Sequence, residues 1–133
     1  MLSKKQVWEL FQNVYFNSVD SGEMTKAISI FHEDVEWIHT QVWEHDEYKR
    51  SKGSDILKGK KAIEILLQER SKKMEKVKIR HSIQDMVFQD SKGAFIGFVE
   101  GPGKKLPIIA WFEVKDDKIS RYIVTPLYIP NTP

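Results

Sequence analysis

Apolar residues return at helical spacing near the start of the chain: Val7, Leu10, Phe11, Val14, Tyr15, Ser18 and Val19 form one stripe. Ser3 to Gln6 has the S-x-x-Q form of a capping box, which opens a helix, and Asp20-Ser21-Gly22 closes it. Trp8, seven residues before Tyr15, joins the edge of the stripe. A shorter helix follows, with Met24, Ala27, Ile28 and Phe31 on one face. The period then shortens to two. Val35, Trp37 and His39 alternate with Glu36, Ile38 and Thr40, as in a strand with one buried side. The charged stretch from Glu44 to Asp55 predicts a loop. "KGKKAIEILLQERSKKM" predicts a third helix after Gly59, with Ala62, Ile63, Leu66, Leu67 and Met74 inward.

From Val77 the period stays at two, broken by "DSKG", "GPGKK" and "KDDK". Between these turns the spans Lys78–Gln89, Ala94–Glu100, Leu106–Val114 and Ile119–Thr125 predict four strands in an antiparallel meander. Helices, one strand, a helix and four strands make an α+β order. A strongly curved sheet wrapped over helices would leave a cavity between the layers. The residues after Thr125 include three prolines and predict a C-terminal tail, 126–133, as a strap or a frayed end, on a single domain spanning 1–133.

Composition narrows the functional classes. The 133 residues include no cysteine, which excludes disulfides, thiolate zinc sites, iron–sulfur clusters and cysteine nucleophiles. No apolar run reaches the roughly 20 residues of a membrane span, and "MLSKKQVWEL" lacks a signal-peptide core, so a cytoplasmic location with no membrane partner is expected. The net charge of +2 does not call for nucleic acid. Residues 51–80 carry 10 basic and 4 acidic side chains, against 5 and 9 in residues 1–50; Glu64, Glu69 and Glu75 interrupt the lysines, as on a solvated helix face.

"DVEWIHTQVWEHDEY" concentrates the candidate chemistry. His39, Glu44, His45, Asp46 and Glu47 include metal-ligand types, but no pair of histidines has helical spacing and no H-E-x-x-H occurs, so neither metal nor cofactor is expected. "GPGKK" lies in a strand turn without a following helix, so it is not a phosphate cradle. His39 shares a face with Trp37, and an imidazole suits proton transfer near neutral pH. His81 and Arg80 open a strand, and one of the two must face inward. The side taken by Trp43 is open.

Four stretches resemble the NTF2-like superfamily, in particular its SnoaL-like and ketosteroid-isomerase-like branch: "VDSGEMTKAISIFHEDVEW", "LKGKKAIEILL", "MVFQDSKGAFIGFVEG" and "WFEVKDDKISRYIV". The resemblance implies a cone-shaped α+β barrel, with three helices packed on a strongly curved, mostly antiparallel sheet. It also implies a homodimer through the outer sheet face, to which Ile123 and Phe98 would contribute. Ketosteroid isomerases pair an aspartate base with an oxyanion hole of tyrosine and protonated aspartate. The tyrosine position corresponds to Tyr15, seven residues before Gly22; the base corresponds to His39, eight after Phe31; the second acid corresponds to Ile109, counted back from Lys118. An isoleucine cannot donate to an enolate, so steroid isomerase chemistry as such is rejected.

Three readings follow. In the first, a small isomerase-, cyclase- or dehydratase-type enzyme uses His39 as acid or base and Tyr15 as donor, on an apolar small molecule. Trp8, Trp37, Ile109, Trp111 and Tyr122 would line its cavity. In the second, the same cavity holds a ligand without chemistry. In the third, the outer sheet face makes the protein a dimeric interaction module.

Overall fold

The computed structural model describes residues 1–43 and 53–127. The expected capping box is formed: Gln6 N donates to Ser3 Oγ at 3.1 Å, and Ser3 N donates to Gln6 Oε1 at 2.8 Å. It opens α1 (Lys4–Glu9), which runs through a π-helical segment (Leu10–Phe16) into α2 (Asn17–Asp20). The wider π turn buries Phe11, Tyr15 and the adjacent Phe16 together. α3 (Met24–Ala27) ends in a 3-10 turn (Ile28–Ile30) that feeds β1 (Phe31–His39).

After β1 come β2 (Asp55–Lys58), α4 (Lys60–Lys73), β3 (Arg80–Gln89), β4 (Lys92–Gly101), β5 (Lys104–Lys115) and β6 (Lys118–Pro126). The six strands form one sheet in the order β2-β1-β6-β5-β4-β3. β1 and β6 are parallel and the other pairs antiparallel. The fold is therefore α+β, with a curved sheet that stays open, its edges being β2 and β3. β2 starts at Asp55, the last residue of the stretch expected to be loop, and no strand was expected there. It is short, and Ile56 within it is 71% exposed, so no apolar alternation announces it.

The meander's turns follow from their residues. Asp90 and Ser91 (φ 52° and 63°), and Asp116 and Asp117 (φ 54° and 57°), take the left-handed conformations of two-residue hairpin loops. Pro102 and Gly103 (φ 73°) join β4 to β5. The core closes between the first helical run and the sheet. The Phe11 ring lies 5.1 Å from Phe95, 4.9 Å from Phe112 and 5.4 Å from Tyr122.

Edge strand β3 is stitched to the helices by side chains rather than by another strand. Gln12 Nε2 donates to the His81 carbonyl at 2.9 Å, and Ile83 N donates to Gln12 Oε1 at 2.8 Å. His81 N donates to Asp20 Oδ2 at 2.7 Å. These bonds satisfy an otherwise open edge and fix where His81 sits.

On β5 the inward residues are Ile108, Ala110 and Phe112, so Ile109 and Trp111 lie on the outer face. Their expected place in the cavity is corrected. Counting back from Lys118 names a position but not a face, and both alternating sets of β5 around it are apolar, so the count alone could not tell the inner set from the outer. Trp8 is half-buried at the margin of the core, away from the cavity wall. The acidic cluster Glu44 to Glu47 with His45, and positions 128–133 of the C-terminal tail, lie outside the described residues.

Candidate functional site

A cavity of about 550 Å³ lies between the helices and the inner face of the sheet. Its apolar wall includes Phe16, Met24, Leu67, Val99, Ile108 and Val124. Tyr15, His39 and Tyr122, three of the residues singled out in the sequence, also line it. Trp37 is fully buried behind His39, the two rings stacked 4.9 Å apart at 10°. Trp43 lines the cavity as well, its ring packed where a side chain on Gly101 would otherwise stand.

Polar side chains gather in two clusters. The first is His81 with Asp20. His81 Nδ1 lies 2.6 Å from Asp20 Oδ1, and Asp20 Oδ2 accepts from the same residue's backbone N–H. One carboxylate thus holds both the chain and the ring of His81, while Phe16 stacks on the imidazole at 5.0 Å and 6°. Neither the position nor the angle of this ring is left to solvent. The second cluster is His39 with Arg70 and Asp55. Arg70 forms an ion pair with Asp55 and approaches His39 Nδ1 with Nη1 at 3.1 Å. The antiparallel register sets Asp55 opposite His39, which brings its carboxylate to this corner.

Burial, reinforced by the Arg70 charge, holds His39 well below its ordinary value of 6.5. Burial pushes the Tyr15 hydroxyl up to about 12, and raises Tyr122 well above 10. Both phenols are therefore neutral near pH 7 and available as donors. The Trp37 indole N–H eases the Tyr15 shift without reaching hydrogen-bond geometry; the Nε1 atoms of Trp37 and Trp43 are both buried without partners. Among the described residues, no group of three or more His, Asp or Glu side chains could hold a metal ion.

No protein-family model matches the chain, and no curated protein matches it. Solved structures do. One from Kribbella flavida, named as a "putative ketosteroid isomerase", superposes with a TM-score of 0.68 at 16% identity, covering 97% of this chain and 83% of that one. An NTF2-like protein of unknown function from Burkholderia xenovorans gives 0.68 at 12% identity, covering 98% and 89%. An NTF2-like protein from Anabaena variabilis gives 0.64 at 21%, covering 94% and 87%. This chain has the NTF2-like fold. At such identities the likeness shows the architecture and leaves the chemistry to the residues themselves.

Within the NTF2-like frame, sequence reasoning missed Arg70, Asp55 and Asp20. Arg70 had a usable signal: Ile63, Leu67, Arg70 and Met74 follow the helical stripe of α4, so a cation stands where an inward residue belongs. Asp20 was legible only as a helix stop, because its partner His81 lies 61 residues away. No helix among the described residues is long and apolar enough to cross a membrane.

Proposed function

We propose that the protein is a small enzyme of isomerase, cyclase or dehydratase type. It binds an apolar small molecule in the cavity and moves a proton on it through His81. The observation that carries this reading is the His81–Asp20 pair in the cavity wall. A carboxylate accepting from Nδ1–H fixes the imidazole tautomer and stabilises the imidazolium formed when Nε2 takes a proton. His39 and Tyr15 are the polar contacts that would orient the substrate, and Tyr122 and Trp43 would cover its apolar body. A cavity of about 550 Å³ matches a drug-sized or bicyclic compound.

The proposal also takes the chain as one cytoplasmic domain whose curved sheet forms a cone around the ligand. It pairs with a second copy through the outer face, where Trp111, Ile96 and Val87 are exposed.

The test is a screen of apolar carbonyl compounds by tryptophan fluorescence, followed by mass spectrometry of the reaction mixture. Turnover by the native protein is expected, and it should drop by about 10²–10⁴ in His81→Gln, the usual contribution of general acid–base catalysis. Binding with no product from the native protein would make this a carrier and sink the enzymatic reading.

A further inference from the structure

The cavity contains two histidines whose surroundings differ in kind. An arginine side chain has five N–H donors, no acceptor, and does not lose its proton in proteins. The 3.1 Å contact from Arg70 Nη1 therefore requires a lone pair on His39 Nδ1. A neutral imidazole carries its one proton on the other nitrogen, so His39 is an Nε2–H donor. An ionised carboxylate, by contrast, only accepts. The 2.6 Å contact with Asp20 Oδ1 requires a proton on His81 Nδ1, which leaves the lone pair on Nε2.

Each tautomer is held from behind by a second bond. Asp55 grips Arg70 through the guanidinium, and Arg70 lies over the Trp37 ring at 5.8 Å, with Trp37 itself stacked on His39. Asp20 is anchored by the backbone N–H of His81. Among the described residues, the charged and titratable groups acting on His39 are Arg70 from α4, Asp55 from β2 and His81 from β3. The Arg70 charge disfavours a proton on Nδ1, and the Asp55 carboxylate is occupied by Arg70.

We propose that the two cavity histidines are locked in opposite tautomers, so that His39 serves the ligand as a hydrogen-bond donor from Nε2 and His81 is the group that accepts its proton. Arg70 and Asp55 are then positioning residues. The arrangement selects a ligand class: an apolar compound with a carbonyl-type oxygen for His39 and, on its other side, a removable proton for His81. This rests on the proposed proton-transfer reading for its ligand half, and on hydrogen-bond chemistry alone for its tautomer half.

The experiment is long-range proton–nitrogen NMR on the full chain labelled with ¹⁵N-histidine, without ligand, from pH 8 to pH 5. Signals of His39 and His81 are assigned by His39→Gln and His81→Gln. We expect an Nε2–H pattern for His39 that persists below pH 6.5, and an Nδ1–H pattern for neutral His81. Arg70→Met should release His39 toward ordinary titration, whereas Arg70→Lys, which keeps a donor and a charge, should largely preserve the pattern. An Nδ1–H pattern or ordinary titration of His39 in the native protein overturns the proposal even if neither Arg70 variant folds. Binding of 2-acetylnaphthalene and 2-ethylnaphthalene then tests the ligand half. The ketone should bind at least about tenfold more tightly, the scale of one hydrogen bond to a buried polar group, and His39→Phe should erase the difference. Equal affinity overturns the donor assignment. If the spectra are as expected and neither compound binds, the apolar-ligand reading falls while the tautomers stand.

Discussion

Phe112 and Trp111 are neighbours in sequence and sit on opposite faces of β5. Phe112 is wholly buried between Phe11, Phe88 and Phe95, while Trp111 is 41% exposed and donates its indole N–H to Glu113 at 3.0 Å. The same contrast runs across the sheet. Inward residues such as Val35, Phe95, Ile108 and Tyr122 touch helices or the cavity. Outward ones touch each other and water, and the outer charges pair across strands, Arg121 with Glu36 at 3.0 Å and with Glu113 at 3.5 Å. Hydrophobicity is thus shared by both faces, but the helices give only the inner face a partner. Removing atoms from the inner face should leave cavities, whereas removing them from the outer face should cost little within one chain.

The largest expected effect follows directly. Phe112→Ala should destabilise the protein by about 3–5 kcal/mol, the usual range for a buried Phe truncation, because three aromatic neighbours lose their contact at once. Urea denaturation measures it. A loss below about 1 kcal/mol would mean that the core between the first helices and β5 is not packed as described. Adding atoms to the inner face should also cost. A Cβ at Gly97 would stand 2.2 Å from the Ser82 carbonyl oxygen, beside the irregularity in the β3–β4 pairing between Ile83 and Asp85. Backbone cannot turn aside as a side-chain tip can, so Gly97→Ala should lose about 1–3 kcal/mol in the same assay.

The contrast of faces also explains what the sequence disclosed. Turns were legible because "DSKG", "GPGKK" and "KDDK" supply the residues that such loops demand, and the four meander strands lie within two residues of their expected bounds. The helical stripe Val7, Phe11, Tyr15 and Ser18 was legible because all four are buried on one side. The facing of β5 was not. In "LPIIAWF" both alternating sets are apolar, so polarity cannot name the inner one. Of the cavity, Tyr15, His39 and Tyr122 were legible from facing, and Arg70 could have been. The pairing of Asp20 with His81 and of Asp55 with Arg70 could not, because each joins elements that only the folded sheet brings together.

A third prediction probes a polar group on the inner face. His39 has its pKa lowered in the fold, so the unfolded chain binds the extra proton first as pH falls. Its contribution to stability is complete above the ordinary value of 6.5 and declines below it, until the folded-state pKa is reached. The slope attributable to this one group is at most about 1.4 kcal/mol per pH unit. Denaturation curves at pH 7.5, 6.5 and 5.5 should therefore show a steeper loss in the native protein than in His39→Gln. Parallel losses would mean that the imidazole takes up its proton freely in the fold, as an outer-face histidine would.

The smallest effect on folding belongs to the outer face, and it separates the two uses an exposed tryptophan can have. Trp111→Ser removes a large ring but opens no cavity, and the indole's bond to Glu113 is exposed, so the folded chain should lose no more than about 0.5 kcal/mol at low protein concentration. Sedimentation at micromolar concentration supplies the second reading. Trp111 lies in the sheet beside Ile123 and Ala94, with Ile96 exposed nearby on β4. If this patch seats a second copy, the ring is desolvated only in the dimer, where an aromatic near the centre of an interface is worth 2 kcal/mol or more by order of magnitude. Trp111→Ser would then shift the native dimer toward monomer while leaving dilute stability unchanged. A native protein that sediments as a monomer would instead make the outer face a solvated surface, and the inner face the only one whose apolar residues have a partner.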